Sequence, residues 1–158
     1  MKIFPTKELE FKLIDDQAIT LNRLNRRTEK SENLTSQFTD KSFRGIINGN
    51  KFQLISSTIG KGAFCVMSGQ IDSHNGFVNV EINKAFKVLF GIIYLFPAIG
   101  IIITINLGGE EFNPLMILSV IGQILLIRFI GIWFFFQRFS KYSLNKLREV
   151  LDIEWLKN

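Results

Sequence analysis

Four basic residues, Arg23, Arg26, Arg27 and Lys30, recur at i, i+3, i+4 and i+7, which places them on one side of any helix that carries them. Such a stripe can rest on anionic lipid headgroups or grip an anionic ligand, each cation contributing about 1 kcal/mol near an anionic surface. The alternative is an ordinary solvated face. Arg128 is the second residue with chemical potential. It is the single charge in the 26 residues from Phe112 to Gln137. A charge at the middle of an apolar helix costs about 2.5–3.5 kcal/mol on insertion scales. A long side chain recovers part of that by snorkelling. Tyr94, at comparable depth in the preceding apolar run, or backbone carbonyls are the partners expected to meet Arg128. Gln123 and Ser119, one turn apart beside Gly122, add a weakly polar edge. Together these define a candidate intramembrane polar contact of Arg128, Tyr94 and Gln123, serving an anion, a lipid headgroup or a seam between protomers. The bland reading of Arg128 is snorkelling without a ligand.

Little else in the chain points to chemistry. His74 is the sole histidine, in Ser-His-Asn-Gly, a turn tip. Cys65 is the sole cysteine, which excludes an internal disulfide framework, and it reads as a small core residue. Gly60-Lys61-Gly62 lacks the Gly-Lys-Ser/Thr and following helix of a phosphate loop and reads as a flexible hairpin loop. Glu110 and Glu111 are neighbours, whose side chains diverge on most backbones. The expectation is no catalytic residue, no metal site, no cofactor and no enzyme.

The element that must position all of this is a pair of apolar helices. Val88 to Gly109 is a run of 22 residues without a charge, and a bilayer core about 30 Å thick needs roughly 20 apolar helical residues. Pro97 lies mid-run, where it is tolerated in lipid as a kink. Asn106 to Pro114 is a short connection, so the two helices must run antiparallel. The segment Met1 to Lys87 carries thirteen Lys/Arg against nine Asp/Glu, and Arg138 to Asn158 carries five against three. The connection has two acids and no base. The positive-inside rule then puts both termini in the cytoplasm, in the inner membrane of a bacterium. The formal net charge of +5 reads first as attraction to anionic lipids. Membrane lipids and further copies of the chain are the expected partners, and no nucleic acid is expected.

Residues 1–84 read as a cytoplasmic α+β domain. Leu9, Phe11 and Leu13 alternate with polar residues as a strand. Asp15-Asp16 offers a cap for a helix from Gln17 to Lys30, followed by a polar loop from Ser31 to Lys41. Asn48-Gly49 and Asn75-Gly76 each supply the turn of a hairpin. The strands flanking them contain Phe43 to Ile47, Phe52 and Leu54, Ala63 to Ile71, and Val78 to Ile82. The predicted fold class is an α+β membrane protein. It has a small antiparallel sheet of four or five strands plus one helix, a transmembrane hairpin over 85–137 (helices about 87–107 and 113–136), and an amphipathic helix over 138–158. In that last helix Leu144, Leu147, Leu151 and Trp155 form the apolar stripe.

The order Phe43-Arg44-Gly45-Ile46, Lys51-Phe52-Gln53-Leu54, Ser68-Gly69-Gln70-Ile71, Val80-Glu81-Ile82, then hairpin and amphipathic tail, resembles uncharacterised small bacterial two-helix membrane proteins with a cytoplasmic β-rich domain. They share the Phe-x-Gly and Gly-x-Ile strands. The resemblance covers most of the chain from Phe43 onward and implies no activity. The parts list is also similar to antiphage effectors that oligomerise on binding a cyclic nucleotide, although in those the hairpin is expected before the β domain. The expected function is therefore a non-enzymatic inner-membrane protein whose β-rich domain binds a partner, lipid or small ligand. The alternative is a ligand-gated, membrane-perturbing effector of a bacterial defence system.

Overall fold

Alternation along the strands decides the architecture. In β1 (Thr6–Leu13) Phe11 and Leu13 are buried while Glu8, Glu10 and Lys12 face solvent. In β6 (Asn75–Ile82) Gly76, Val78, Val80 and Ile82 are all buried. A computed structural model, describing residues 4–106 and 114–156, shows how these faces meet. The chain divides into two compact units, Met1–Asn83 with Phe136–Asn158, and Lys84–Phe135.

The first unit is built on a seven-stranded mixed sheet in the order β2-β3-β4-β5-β6-β1-β7. The added ranges are β2 (Thr28–Lys30), β3 (Phe43–Asn48), β4 (Lys51–Ser56), β5 (Cys65–Ile71) and β7 (Ile153–Trp155). Neighbours pair antiparallel except β2 and β3, which are parallel. Register lines up Leu9 with Val78 and Phe11 with Gly76, Met67 with Val80, and Leu54 with Met67, so one face is continuously apolar. Helix α1 (Gln17–Arg27) brings Thr20 and Leu24 into the core. The C-terminal helix, here α4 (Phe135–Leu151), brings Leu144, Leu147 and Leu151.

Four expectations are corrected. The sheet has seven strands and is mixed, not four or five and antiparallel. The helix ends at Arg27 rather than Lys30, because Thr28–Lys30 is captured as a parallel edge strand by β3. The amphipathic helix stops at Leu151. Asp152 turns the chain with φ 55°, its N–H bonding the Arg148 carbonyl, and Ile153–Trp155 then pairs with β1. Asp tolerates the left-handed region better than most residues. Trp155 meets Phe11 edge-on, ring centroids 6.0 Å apart, instead of continuing a helical stripe. Both hairpin turns are also displaced by a step or more. The first centres on Gly49-Asn50, with Gly49 at φ 60°. The second occupies residues 72–74, and Gly76 lies within β6 because a side chain there would collide with the Phe11 ring.

The second unit contains α2 (Lys84–Asn106), which passes through Pro97, and α3 (Pro114–Leu126), which continues into a π-helical stretch, Ile127–Phe134. The π stretch departs from the expectation of a regular helix over 113–136. Phe90 lies near Gly131, and residues 96–101 share a groove with 119–123, so the helices are antiparallel. Val88, Leu95, Phe96, Leu118 and Phe129 are exposed. Two helical runs, Lys84–Ile103 and Ile117–Leu151, are long and apolar enough to cross a membrane. Residues 107–113, including Glu110 and Glu111, and the last two residues of the tail lie outside the described residues.

Cys65, fully buried in β5, has its thiol pushed up from 9.0 to about 12 by burial. The folded chain therefore keeps its proton where the unfolded chain loses it, and stability contributed by the neutral thiol is lost as pH rises from 9 towards 12. Maleimide modification of the native protein at pH 7.5, a value of about neutrality set by the reagent, is expected to be at least tenfold slower than in denaturant. Equal rates would show the site to be open.

Candidate functional site

Of the basic stripe read from Arg23, Arg26, Arg27 and Lys30, the fold keeps Arg23 and Arg26 along one groove of about 520 Å³, beside Ala18, Ile19 and Asn22. Arg23 donates to Asp15 Oδ2 at 2.6 Å and to the Leu151 carbonyl at 3.1 Å, tying the start of α1 to the end of α4. Asp15 is thereby an ion-pair partner, and Asp16, at the cap position, makes no side-chain cap bond. Arg26 and Arg27 lie with Lys41 and Asp40 around a groove of about 330 Å³. Lys30 stands apart in β2.

The three intramembrane candidates are not joined either. The Tyr94 hydroxyl is buried without a hydrogen-bond partner among the described residues, so it does not meet Arg128. Arg128 is half-buried within the π-helical stretch. Gln123 lines a separate groove of about 420 Å³ with Ser119, Pro97 and Gly100. His74 is exposed at the turn between β5 and β6, as expected of it.

A different cluster is assembled from parts far apart in the sequence. Arg138, Lys141, Tyr142 and Asn145 occur at i, i+3, i+4 and i+7 along α4, one face of that helix. The loop after β4 brings Lys61 to them, and with Phe139 these residues line an open groove of about 260 Å³. Three cations stand there and no carboxylate lines the groove.

The loop is held, not loose. Gly60 takes φ 78°, in the left-handed region that suits glycine. Gly62 donates to the Thr58 carbonyl at 2.8 Å and packs so closely on the Ser56 carbonyl that a Cβ would collide with it. Thr58 Oγ1 lies 2.9 Å from the Tyr142 hydroxyl and accepts from Lys146 Nζ at 3.2 Å. Phe64, closing the loop, sits 5.1 Å centroid to centroid from Phe139. The two glycines thus fix the path that brings Lys61 towards Arg138 and Lys141.

Chemically, the groove offers three cationic groups, a phenol hydroxyl and an amide as hydrogen-bonding groups. The flexible cations can close on a phosphate or carboxylate by charge-assisted hydrogen bonds, with Arg138 able to bind in bidentate fashion. Among the described residues, no group of three or more metal-ligating side chains comes together. The sequence held a partial signal for the groove in the α4 spacing. The contribution of Lys61 depends on tertiary structure. Comparison of the chain with protein-family models, curated proteins and solved structures finds no match.

Gly62→Ala is expected to cost about 1–3 kcal/mol, since the new methyl overpacks rigid backbone. Gly60→Ala, with open space but positive φ, should cost about 1 kcal/mol. Thermal denaturation of the detergent-solubilised full chain checks the order. Equal and negligible shifts would contradict the constrained loop.

Proposed function

We propose that the chain is an integral membrane protein of the cytoplasmic membrane, non-enzymatic, whose α/β unit binds a phosphate-bearing anion at the membrane surface. The observation that carries this is the groove in which Lys61, Arg138 and Lys141 gather with no carboxylate among the lining residues. Three supports stand beside it.

The first is the exposed apolar exterior of α2 and α3. In water each such Leu, Ile or Phe forgoes about 1.5–3 kcal/mol of burial, and lipid removes that cost. The second is sheet pairing. Strand β1 precedes the hairpin and β7 follows it, yet Phe11 pairs with Trp155 and Leu13 with Ile153. Segments in one sheet occupy one side of a membrane, so the two helices cross as an out-and-back pair. The excess of Lys and Arg on both flanks supports a cytoplasmic position for that side. The third concerns the lone thiol and the lone imidazole, neither of which lines the groove. The Cys65 thiol is buried and held protonated, and His74 is exposed at a turn.

The units are joined by peptide bonds with no spacer, at Asn83-Lys84 and Phe135-Phe136. A spanning hairpin therefore keeps Arg138 and Lys141 close to headgroups by chain connectivity alone. Phosphate chemistry is shared by an anionic lipid and a soluble phosphate ester, and one experiment separates them. Full-length protein is delipidated stepwise in detergent and followed by native mass spectrometry, with phosphatidylglycerol or inorganic phosphate added back. Wild type is expected to retain phosphatidylglycerol at least tenfold better than the Lys61→Ala/Arg138→Ala/Lys141→Ala variant, in line with about 1 kcal/mol per cation. Displacement by millimolar inorganic phosphate would assign the groove to a soluble ligand. Equal retention of lipid and phosphate by variant and wild type would refute an anion site.

A further inference from the structure

Two loops of the α/β unit carry large apolar side chains that nothing in that unit covers. Phe38 is 94% exposed and Ile59 is 62% exposed. Neither loop dangles. The Phe38 loop is fastened on both sides of its apex. Before it, the Leu34 carbonyl accepts from Asn83 Nδ2 at 2.9 Å and the Thr35 carbonyl from Arg44 Nη1 at 3.2 Å. After it, Ser57 Oγ donates to the carbonyls of Lys41 and Ser42. The Ile59 loop follows directly from Ser57 and carries Lys61. Asn83 Nδ2 also donates to the Ala63 carbonyl at 3.0 Å. The two loops are thus bonded to each other and to the residue at which the chain leaves this unit for α2.

The chain re-enters the unit at the same end. Phe139 packs on Phe64, next to Ala63. Phe38, Ile59, Lys61, Arg138 and Lys141 therefore belong to segments that are bonded to Asn83, where the chain leaves this unit, or follow directly on Phe136, where it returns. Exposed apolar tips flanked by cations, at the end of a domain that leads into apolar helices, match a bilayer interface in both chemistry and position. The apolar tips suit the acyl boundary, and the cations suit the phosphates above it.

We infer that Phe38 and Ile59 insert into the headgroup–acyl boundary of an anionic bilayer, so that the α/β unit is seated on the membrane by its own surface and not merely tethered to it. The inference rests on the reading of α2 and α3 as membrane-spanning. It predicts a domain held at a fixed height, with the Lys61 groove at phosphate level. Phe77, 47% exposed, lies towards the opposite end of β6 from Asn83 and supplies the internal control.

The test uses single nitroxide labels on the full chain in phosphatidylglycerol-containing liposomes. Buried Cys65 stays unlabelled, and Phe38→Cys, Ile59→Cys, Phe77→Cys and Leu118→Cys supply the sites. Collision with oxygen against a water-soluble nickel chelate reads depth. Labels at 38 and 59 are expected to favour oxygen at least fivefold over the label at 77, approaching the label at 118. Replacing the anionic lipid by phosphatidylcholine should move 38 and 59 towards water by at least twofold and leave 118 unchanged. Labels at 38 and 59 as wet as 77, with 118 dry, would overturn the seating and leave the hairpin standing. A wet label at 118 would overturn both. No change in phosphatidylcholine would remove the role given to the cations.

Discussion

The bare apolar exterior of α2 and α3 is the constraint from which the rest follows. These helices touch each other along one seam and leave Val88, Phe96, Leu118 and Phe129 uncovered. No polar stripe offsets them, as a soluble amphipathic helix would require. A surface of that kind is stable only when something apolar covers it, and two adjacent helices of this length fit a bilayer. Once the pair is set in lipid, the flanking segments must fold on one side of it. The basic residues beyond each helix then come to lie near headgroups.

The sheet answers that demand by drawing on both ends of the chain. Residues 1–83 supply six strands and the tail supplies the seventh, which pairs with the first. Arg23 reinforces the closure by binding both Asp15 and the carbonyl of Leu151. The hairpin is in effect an insertion within one α/β unit. Strand pairing between β1 and β7 links membrane topology to domain folding, because the domain is complete only after both helices have been made. A chain truncated after the hairpin would leave β1 as an uncovered edge, and exposed edges invite association.

Much of the fold was legible because periodicity exposes buried faces. Leu9, Phe11 and Leu13, and Val78, Val80 and Ile82, alternate cleanly, and the two uncharged runs were unmistakable in length. What stayed hidden shares one cause, local pattern overridden by distant partners. Thr28–Lys30 continues a helical spacing yet is taken up by β3. Leu144, Leu147, Leu151 and Trp155 keep a helical period across Asp152, whose positive φ ends the helix and sends Trp155 to Phe11. The Asn-Gly pairs marked both hairpins, and Gly49 lies in its turn with φ 60°, but the second turn falls at 72–74 while Gly76 lies within β6 beneath an aromatic ring. The site shows the same limit. Arg23, read only as part of a basic stripe, lines a groove with Arg26 and also ties Asp15 to the Leu151 carbonyl, a second role that spacing along one helix does not reveal. Lys61 looked like a loop residue and joins Arg138 and Lys141 through glycine-fixed backbone.

Protease accessibility of epitope tags at the two termini, in sealed inside-out and right-side-out membrane vesicles, bears most directly on this account. Both tags should be removed from inside-out vesicles and both protected in right-side-out ones, since β1 and β7 share a sheet and the proposed orientation puts that sheet in the cytoplasm. Tags on opposite sides, or a protein recovered in the supernatant instead of the vesicles, would contradict it.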